Sequence, residues 1–173
     1  MLVPASLYKD EIEKQFKAIQ YTDKYLWYTG SIDNYDLEVK TEGDKFAFAI
    51  VEPFHNQYCK TDYFLLGYIS FRVDWYCGMA YNFGLIRFEQ SKKATKVMAN
   101  AIREVIRMVD SFNLHRIDFR CVSGNPAEQK YDKIVDKILD KGVYDCYMPT
   151  FKDNIKDTHG KYHDTICYEL IRR

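Results

Sequence analysis

The chain has 173 residues, 47% hydrophobic and 29% charged, and its 25 basic and 25 acidic side chains give a formal net charge of zero. That length suits one domain with a full core. The balanced charge argues against a nucleic-acid partner held through its phosphate backbone, leaving only a local basic patch open. No run of about 18 apolar residues is present, so no membrane-spanning helix is expected. The opening MLVPASLYKDEIEK lacks a basic n-region and a long apolar h-region, so it is not read as a secretory signal and the expected location is cytoplasmic.

From the N-terminus, Leu7 to about Gln20 places Tyr8, Ile12, Phe16 and Ile19 on one helical face. A shorter helix is expected from Asp23, with Thr22 or Asp23 as its cap. Three strand-like runs follow, Asp44 to Val51, Tyr63 to Trp75 and Cys77 to Phe88, and their close spacing predicts an antiparallel meander. Gly84 lies inside the third run, where a glycine marks a bulge or a close backbone approach by a ligand.

The clearest helix spans about Ser91 to Phe112, with Ala94, Val97, Met98, Ala101, Ile102, Val105, Ile106 and Val109 at i, i+3, i+4 spacing. HRIDFRCV then alternates as a half-buried strand. Asn125-Pro126-Ala127-Glu128 opens a second long helix with a cap, a proline at the first helical position and a glutamate three residues after the cap. Its buried stripe is Tyr131, Ile134, Val135, Ile138 and Leu139. Two last strands, about Val143 to Thr150 and His163 to Ile171, flank a polar loop containing THGK.

No repeat, low-complexity tract or Pro/Gly/Ser-rich linker interrupts the chain, so a single domain over residues 1–173 is expected. The five cysteines (Cys59, Cys77, Cys121, Cys146 and Cys167) contain no C-x-x-C pair and read as small buried hydrophobes rather than disulfides or zinc ligands. No metal is expected, because His55, His115, His159 and His163 show no ligand spacing beyond the His159/His163 pair in a predicted turn. The 15 Tyr, 11 Phe and 2 Trp suit either an aromatic binding surface or a sheet-rich core.

Three stretches, LHRIDFRCVSGNPAEQKYDKI, GKYHDTICYEL and GLIRFEQSKKATKVMANAI, carry a resemblance to the GNAT superfamily of N-acetyltransferases, nearest its ribosomal-protein branch. The resemblance covers roughly Tyr63 to Leu170. In the first stretch a His-Arg-Ile strand start leads to an Asn at a helix mouth. In the second, Gly-x-Tyr, His-Asp and a later Tyr recur in a closing hairpin. The third stands where the acetyl-CoA strand, pyrophosphate loop and helix belong.

The resemblance implies an α+β (mixed α/β) fold with a central, mostly antiparallel sheet flanked by helices, two of whose central strands splay into a V that takes acetyl-CoA. It implies that the pantetheine arm pairs with the backbone of Gly84, Leu85, Ile86 and Arg87. The pyrophosphate would sit at the helix mouth formed by Ser91, Lys92, Lys93, Ala94 and Thr95. The family loop has the form Arg/Gln-x-x-Gly-x-Gly/Ala, because helix-terminal N–H groups must approach the phosphates closely. This chain departs from it. One register sets Glu89, Lys92 and Ala94 at those positions, and another sets Gln90, Lys93 and Thr95. A lysine fits if its φ stays negative, and its ammonium can partner a phosphate as a point charge.

The implied reaction is direct attack of a primary amine on the acetyl-CoA thioester in a ternary complex. Tyr131 stands six residues after Asn125, where many members have a tyrosine at seven, and is the candidate acid for the leaving thiolate. Its other reading is a tyrosine that contacts CoA or fills core. Asn125 caps its helix and, by resemblance, also bonds the pantetheine. The base is open among Glu52, His55, Asp74, Glu89, Asp164 and a water chain. The acceptor is open among a small-molecule amine, an amino sugar and a protein N-terminus. Two other readings remain, a GNAT-shaped binding module without turnover and an unrelated α+β scaffold.

Overall fold

The structure is a computed structural model and describes residues 1–19, 43–55, 61–88, 91–157 and 159–173. The helix expected from Asp23 and residues Cys59, Glu89 and Gln90 lie outside the described residues, as do the side chains of His55, Lys92 and Lys93.

The strands are β1 (Leu2–Pro4), β2 (Lys45–His55), β3 (Thr61–Asp74), β4 (Met79–Arg87), β5 (Arg116–Val122), β6 (Tyr144–Tyr147), β7 (Thr150–Lys156) and β8 (Tyr162–Arg172). The helices are a 3₁₀ turn (Ala5–Tyr8), α1 (Lys9–Ile19), α2 (Lys92–Ser111) and α3 (Glu128–Leu139). Among the described residues, hydrogen bonding joins eight strands in the order β1-β2-β3-β4-β5-β8-β6, with β7 also pairing with β8. The α+β class and the largely antiparallel sheet agree with the sequence reading. Two compact units can be distinguished, with β3 dividing after Phe71 and β4 before Gly84.

The first unit holds β1, the 3₁₀ turn, α1, β2, the body of β3, the end of β4 and α2. Its helix α1 buries Ile12 and Phe16, and Phe16 meets Tyr68 edge-on at 5.3 Å. In α2, Ala94, Met98, Ala101, Val105 and Val109 are buried, so the core stripe is narrower than the eight positions expected. Val97, Ile102 and Ile106 sit at its half-buried margins. Asn113, just past α2, takes a left-handed φ of 53, the usual device for turning a chain out of a helix.

One glycine in this unit is fixed by sterics. A Cβ on Gly67 would lie 2.4 Å from the Ile86 carbonyl oxygen and 2.9 Å from Met98 Sδ. The absence of a side chain on β3 therefore lets β4 and α2 close over that point.

The second unit holds the end of β3, the start of β4, β5, α3 and β6 to β8. Residues Ile117, Cys121, Cys167, Tyr168 and Leu170 are buried where β5 pairs along its whole length with β8, from Arg116↔Ile171 to Val122↔Thr165. The C-terminal segment differs from the sequence reading. The expected strand from Val143 to Thr150 is broken after Tyr147, and the polar loop contains a further strand, β7. β6 pairs with one half of β8 and β7 with the other. β7 hides from period-2 reading because nearly all of it is exposed and an irregularity between Phe151 and Ile155 breaks its register. β1 was missed as well. Its three residues pair with β2 at Leu2↔Ile50 and Val3↔Ala49, too short a run to carry a pattern.

The cysteine reading holds for Cys121 and Cys167, which are buried thiols. Cys77 departs from it, standing exposed in the β3–β4 turn.

Candidate functional site

In the second unit β4 and β5 run parallel but pair only at Met79↔Arg116 and Ala80↔Ile117. Beyond that point they part around a cavity of about 430 Å³, with Tyr81, Asn82 and Phe83 on one side and Asp118, Phe119 and Arg120 on the other. Asn82 supplies a local cause. It has φ 54 inside the strand, and a left-handed residue breaks the alternation that a ladder needs. Asparagine tolerates this conformation better than other non-glycine residues because its short polar side chain can bond locally. The irregular position of β4 is therefore Asn82, two residues before the glycine on which the sequence pattern drew attention. Gly84 has a negative or extended backbone, and a Cβ there would touch only Ser70 Oγ at 3.4 Å.

Each strand contributes a phenylalanine to the cavity wall, and β5 adds charged residues. Phe83 and Phe119 meet edge-on at 6.3 Å, Phe119 stacks on Tyr168 at 4.7 Å, and Tyr131 of α3 tilts against Phe119 at 5.9 Å. Tyr131 is thus next to the cavity wall through Phe119 and belongs to an aromatic cluster. Asp118 accepts from Arg116 Nε at 2.7 Å, and Arg116 Nη2 reaches Glu169 at 3.1 Å. The hydrogen bond to Asp118, with the charges of Asp118 and Glu169 behind it, holds the Arg116 guanidinium still more firmly protonated than usual.

The mouth of α3 differs from the sequence reading: Ala127 holds the cap position without a side-chain bond, and Asn125 instead braces the turn that leads into the helix. Asn125 Oδ1 accepts from the Ala127 amide at 2.8 Å, and Glu128 N–H bonds to the Asn125 carbonyl at 2.9 Å. Regular helix begins only at Glu128, so Pro126 and Ala127 form a tighter entry turn. Glu128 reaches back, but to the Gly124 amide at 2.8 Å, because the Asn125 amide already bonds to the Val122 carbonyl. Gly124 has φ 83, which a glycine tolerates without strain.

In the first unit, the end of β4 brings Gly84, Leu85, Ile86 and Arg87 up to the start of α2. Phe88 N–H bonds to the Leu66 carbonyl, and Ile86 is buried. Ser91 caps α2, its Oγ accepting from Ala94 N–H at 3.1 Å. The Ser91 carbonyl gathers the Thr95 amide, Thr95 Oγ1 at 3.2 Å and Arg87 Nη2 at 2.8 Å. Helix begins at Lys92, so Lys92 and Lys93 both have the helical backbone that a glycine-free entry requires. The cap satisfies one of the amides that an anion at this mouth would use.

Of the candidate bases, two are strand residues that brace hairpins. Asp74 accepts from the Cys77 amide at 2.8 Å, and that bond depresses its carboxyl below the usual range. Asp164 accepts from Lys152 Nζ and from the Asp153 amide across the β7–β8 hairpin, which likewise lowers it. Asp157 organises the THGK turn by accepting from the His159 and Lys161 amides and pairing with His163 Nε2 at 2.9 Å. No cluster of three metal-ligating side chains occurs among the described residues, and no helix among them is long and apolar enough to cross a membrane. Phe119 belongs to the strand face read from the sequence with Ile117 and Cys121, and Tyr168 is the later tyrosine of the closing hairpin. Gly67 and Asn82 were not singled out, and of these two only the glycine carried a signal, an isolated Gly within a strand run.

No family profile matches the chain, and no curated protein does. Solved structures do. An aminoglycoside 6'-acetyltransferase type Ii covers 99% of this chain and 96% of its own, with 13% identity and a TM-score of 0.58. A spermidine N-acetyltransferase from Vibrio cholerae, in complex with CoA and spermine, covers 99% and 95% with 11% identity and a TM-score of 0.58. A protein from Chromobacterium violaceum ATCC 12472, described as a probable acetyltransferase of the GNAT family, covers 99% and 85% with 10% identity and a TM-score of 0.56. None of these singles out the ribosomal-protein branch. The chain has the fold of the GNAT-family acetyltransferases.

Proposed function

We propose that the protein is an N-acetyltransferase that moves the acetyl group of acetyl-CoA to a primary amine. The observation that carries this reading is the parallel β4–β5 pair that ends after two residue pairs and opens into a cavity, on a GNAT fold. In this reading the backbone of Gly84, Leu85, Ile86 and Arg87 pairs with the pantetheine arm. The α2 mouth, from Ser91 through Lys92, Lys93, Ala94 and Thr95, holds the pyrophosphate through helix-terminal amides and the positive end of the helix. Asn125 keeps its turn bond to the Ala127 amide through Oδ1 and offers its side-chain amide to the pantetheine.

The amine nitrogen attacks the thioester carbonyl carbon, a C–N bond forms and the C–S bond breaks. Tyr131 gives its phenolic proton to the leaving thiolate, and the amine's surplus proton passes to water. A small-molecule amine is the favoured acceptor, as the solved relatives of the same fold include enzymes named for spermidine and for aminoglycosides. The Ser91 cap and the glycine-free helix start favour a second reading, a binding module of the same fold without turnover.

Calorimetric titration with acetyl-CoA, repeated on a Lys92→Glu/Lys93→Glu variant, tests the reading. Micromolar binding that the variant loses supports it. No binding at millimolar acetyl-CoA removes both the acetyltransferase and the CoA-holding module.

A further inference from the structure

We propose that Tyr168 is a positioning residue for Tyr131, acting through Asp132 and Phe119. The inference rests on the reading of Tyr131 as the acid. Tyr168 is fully buried in β8, and its ring stacks on Phe119 at 4.7 Å with an interplanar angle of 10°. Its hydroxyl donates to Asp132 Oδ1 at 2.7 Å, joining strand to helix across 36 residues of sequence. Asp132 follows Tyr131 directly in α3. Neighbouring residues on a helix stand about 100° apart, so a bond that fixes Asp132 fixes the rotation of that turn about its axis. The same bond therefore sets the direction in which Tyr131 leaves the helix.

The Tyr131 ring is then bounded on two sides, by Tyr168 at 6.4 Å and by Phe119 at 5.9 Å. Phe119 is itself a wall of the cavity. Tyr168 of β8 thus holds the helix that carries the proposed acid and, by stacking, the Phe119 ring that also packs against that acid. Burial, reinforced by the Asp132 carboxylate, raises the Tyr168 phenol far above its ordinary value, so it is a constant donor and not a competing acid. Packing alone does not call for the hydroxyl, since phenylalanine would fill the same stack. What the hydroxyl adds is the bond that ties buried Tyr168 of β8 to the exposed Asp132 of α3, and a buried phenol left without an acceptor would cost free energy.

The test uses Tyr168→Phe, Asp132→Ala, Asp132→Asn and Tyr131→Phe, with acetyl-CoA turnover followed by thiol release against spermidine and kanamycin as probe amines. Tyr168→Phe and Asp132→Ala each lower kcat roughly tenfold and leave KM for acetyl-CoA unchanged. Asp132→Asn, whose carbonyl still accepts from the hydroxyl, stays near the parent. Tyr168→Phe added to Tyr131→Phe costs nothing further, because it acts through the residue already removed. Additive losses, or an intact kcat in Tyr168→Phe while Tyr131→Phe is impaired, overturn the positioning role alone. Full activity in Tyr131→Phe overturns the acid assignment and the inference with it. Absence of turnover in the parent protein overturns the acetyltransferase reading and, with it, this one.

Discussion

Replacing Gly67 by alanine tests the packing that places Ile86. The added Cβ would stand 2.4 Å from the Ile86 carbonyl oxygen, 2.9 Å from Met98 Sδ and 3.2 Å from Met98 Cε. The methionine end is flexible and can swing aside. The carbonyl belongs to a sheet strand and can move only with its neighbours, so β3 and β4 must separate locally. Overpacking of this kind costs about 1–3 kcal/mol, and a backbone clash belongs at the upper end. The gain in chain entropy from removing a glycine offsets roughly 0.5–1 kcal/mol, which leaves about 2 kcal/mol. For a chain of this length that corresponds to a Tm lowered by about 4–8 °C.

Gly84→Ala is the internal control. Its Cβ would meet only Ser70 Oγ at 3.4 Å, so its stability should lie within about 1 kcal/mol of the parent. Urea denaturation and thermal melts of both variants decide the matter. Equal midpoints for the two would refute the reasoning, as would full recovery of Gly67→Ala by a further Met98→Ala, since that change leaves the carbonyl clash in place. If Ile86 pairs with the pantetheine, Gly67→Ala also weakens acetyl-CoA binding measured well below its Tm.

Ser91→Ala removes the bond to the Ala94 amide and should cost about 1 kcal/mol in urea denaturation, whereas Ser91→Gly should cost only a few tenths. Asp157 is depressed from 3.8 to about 2, first by the bond from His163 and then by the Lys161 and His159 amides. A depressed carboxylate stabilises the fold above its unfolded pKa and loses that contribution as pH falls through the folded one. Asp157→Asn should therefore melt below the parent at pH 7, with the gap closing between about pH 4 and pH 2. Native alkylation at pH 7 with peptide mapping should modify exposed Cys77 and spare Cys121, which is buried and pushed up to about 12.

What was legible in the sequence is what local chemistry determines. Helix α2 announces itself through a serine cap and an apolar stripe sustained for five turns, and its observed bounds, Lys92–Ser111, follow the cap. The paired strand β5 reads cleanly because Ile117 and Cys121 face one side while Arg116, Asp118 and Arg120 face the other. β7 was invisible because an exposed strand held by one neighbour needs no apolar alternation. Asn82 was invisible for a different reason. Its left-handed φ stands where the pairing of β4 with β5 stops, and nothing in YNF distinguishes that asparagine from one at any surface turn. The Tyr168–Asp132 bond spans 36 residues, and only the pairing of β5 with β8 brings its two ends within reach.

The glycine-poor loop shows how a local departure from a family pattern can be steric in appearance and electrostatic in consequence. A glycine is required where the backbone must take a positive φ or where a ligand must approach closer than a Cβ allows. At Lys92 and Lys93 the backbone is helical, so the first requirement is absent and lysine carries no conformational penalty there. The second concerns only the distance to an anion. The Ser91 cap already occupies the Ala94 amide, so close approach to that group has less value here than it would in an uncapped mouth. Two ammonium groups in the first turn would act over several ångströms without that approach. On this reasoning the Lys92→Glu/Lys93→Glu loss of acetyl-CoA binding should be strongly salt-dependent in the parent protein, falling as ionic strength rises from 0.05 to 0.5 M on the scale set by screening (about 10 Å at 0.1 M). Binding that is indifferent to salt would place the anion on backbone amides instead, and the lysines would then be ordinary surface residues.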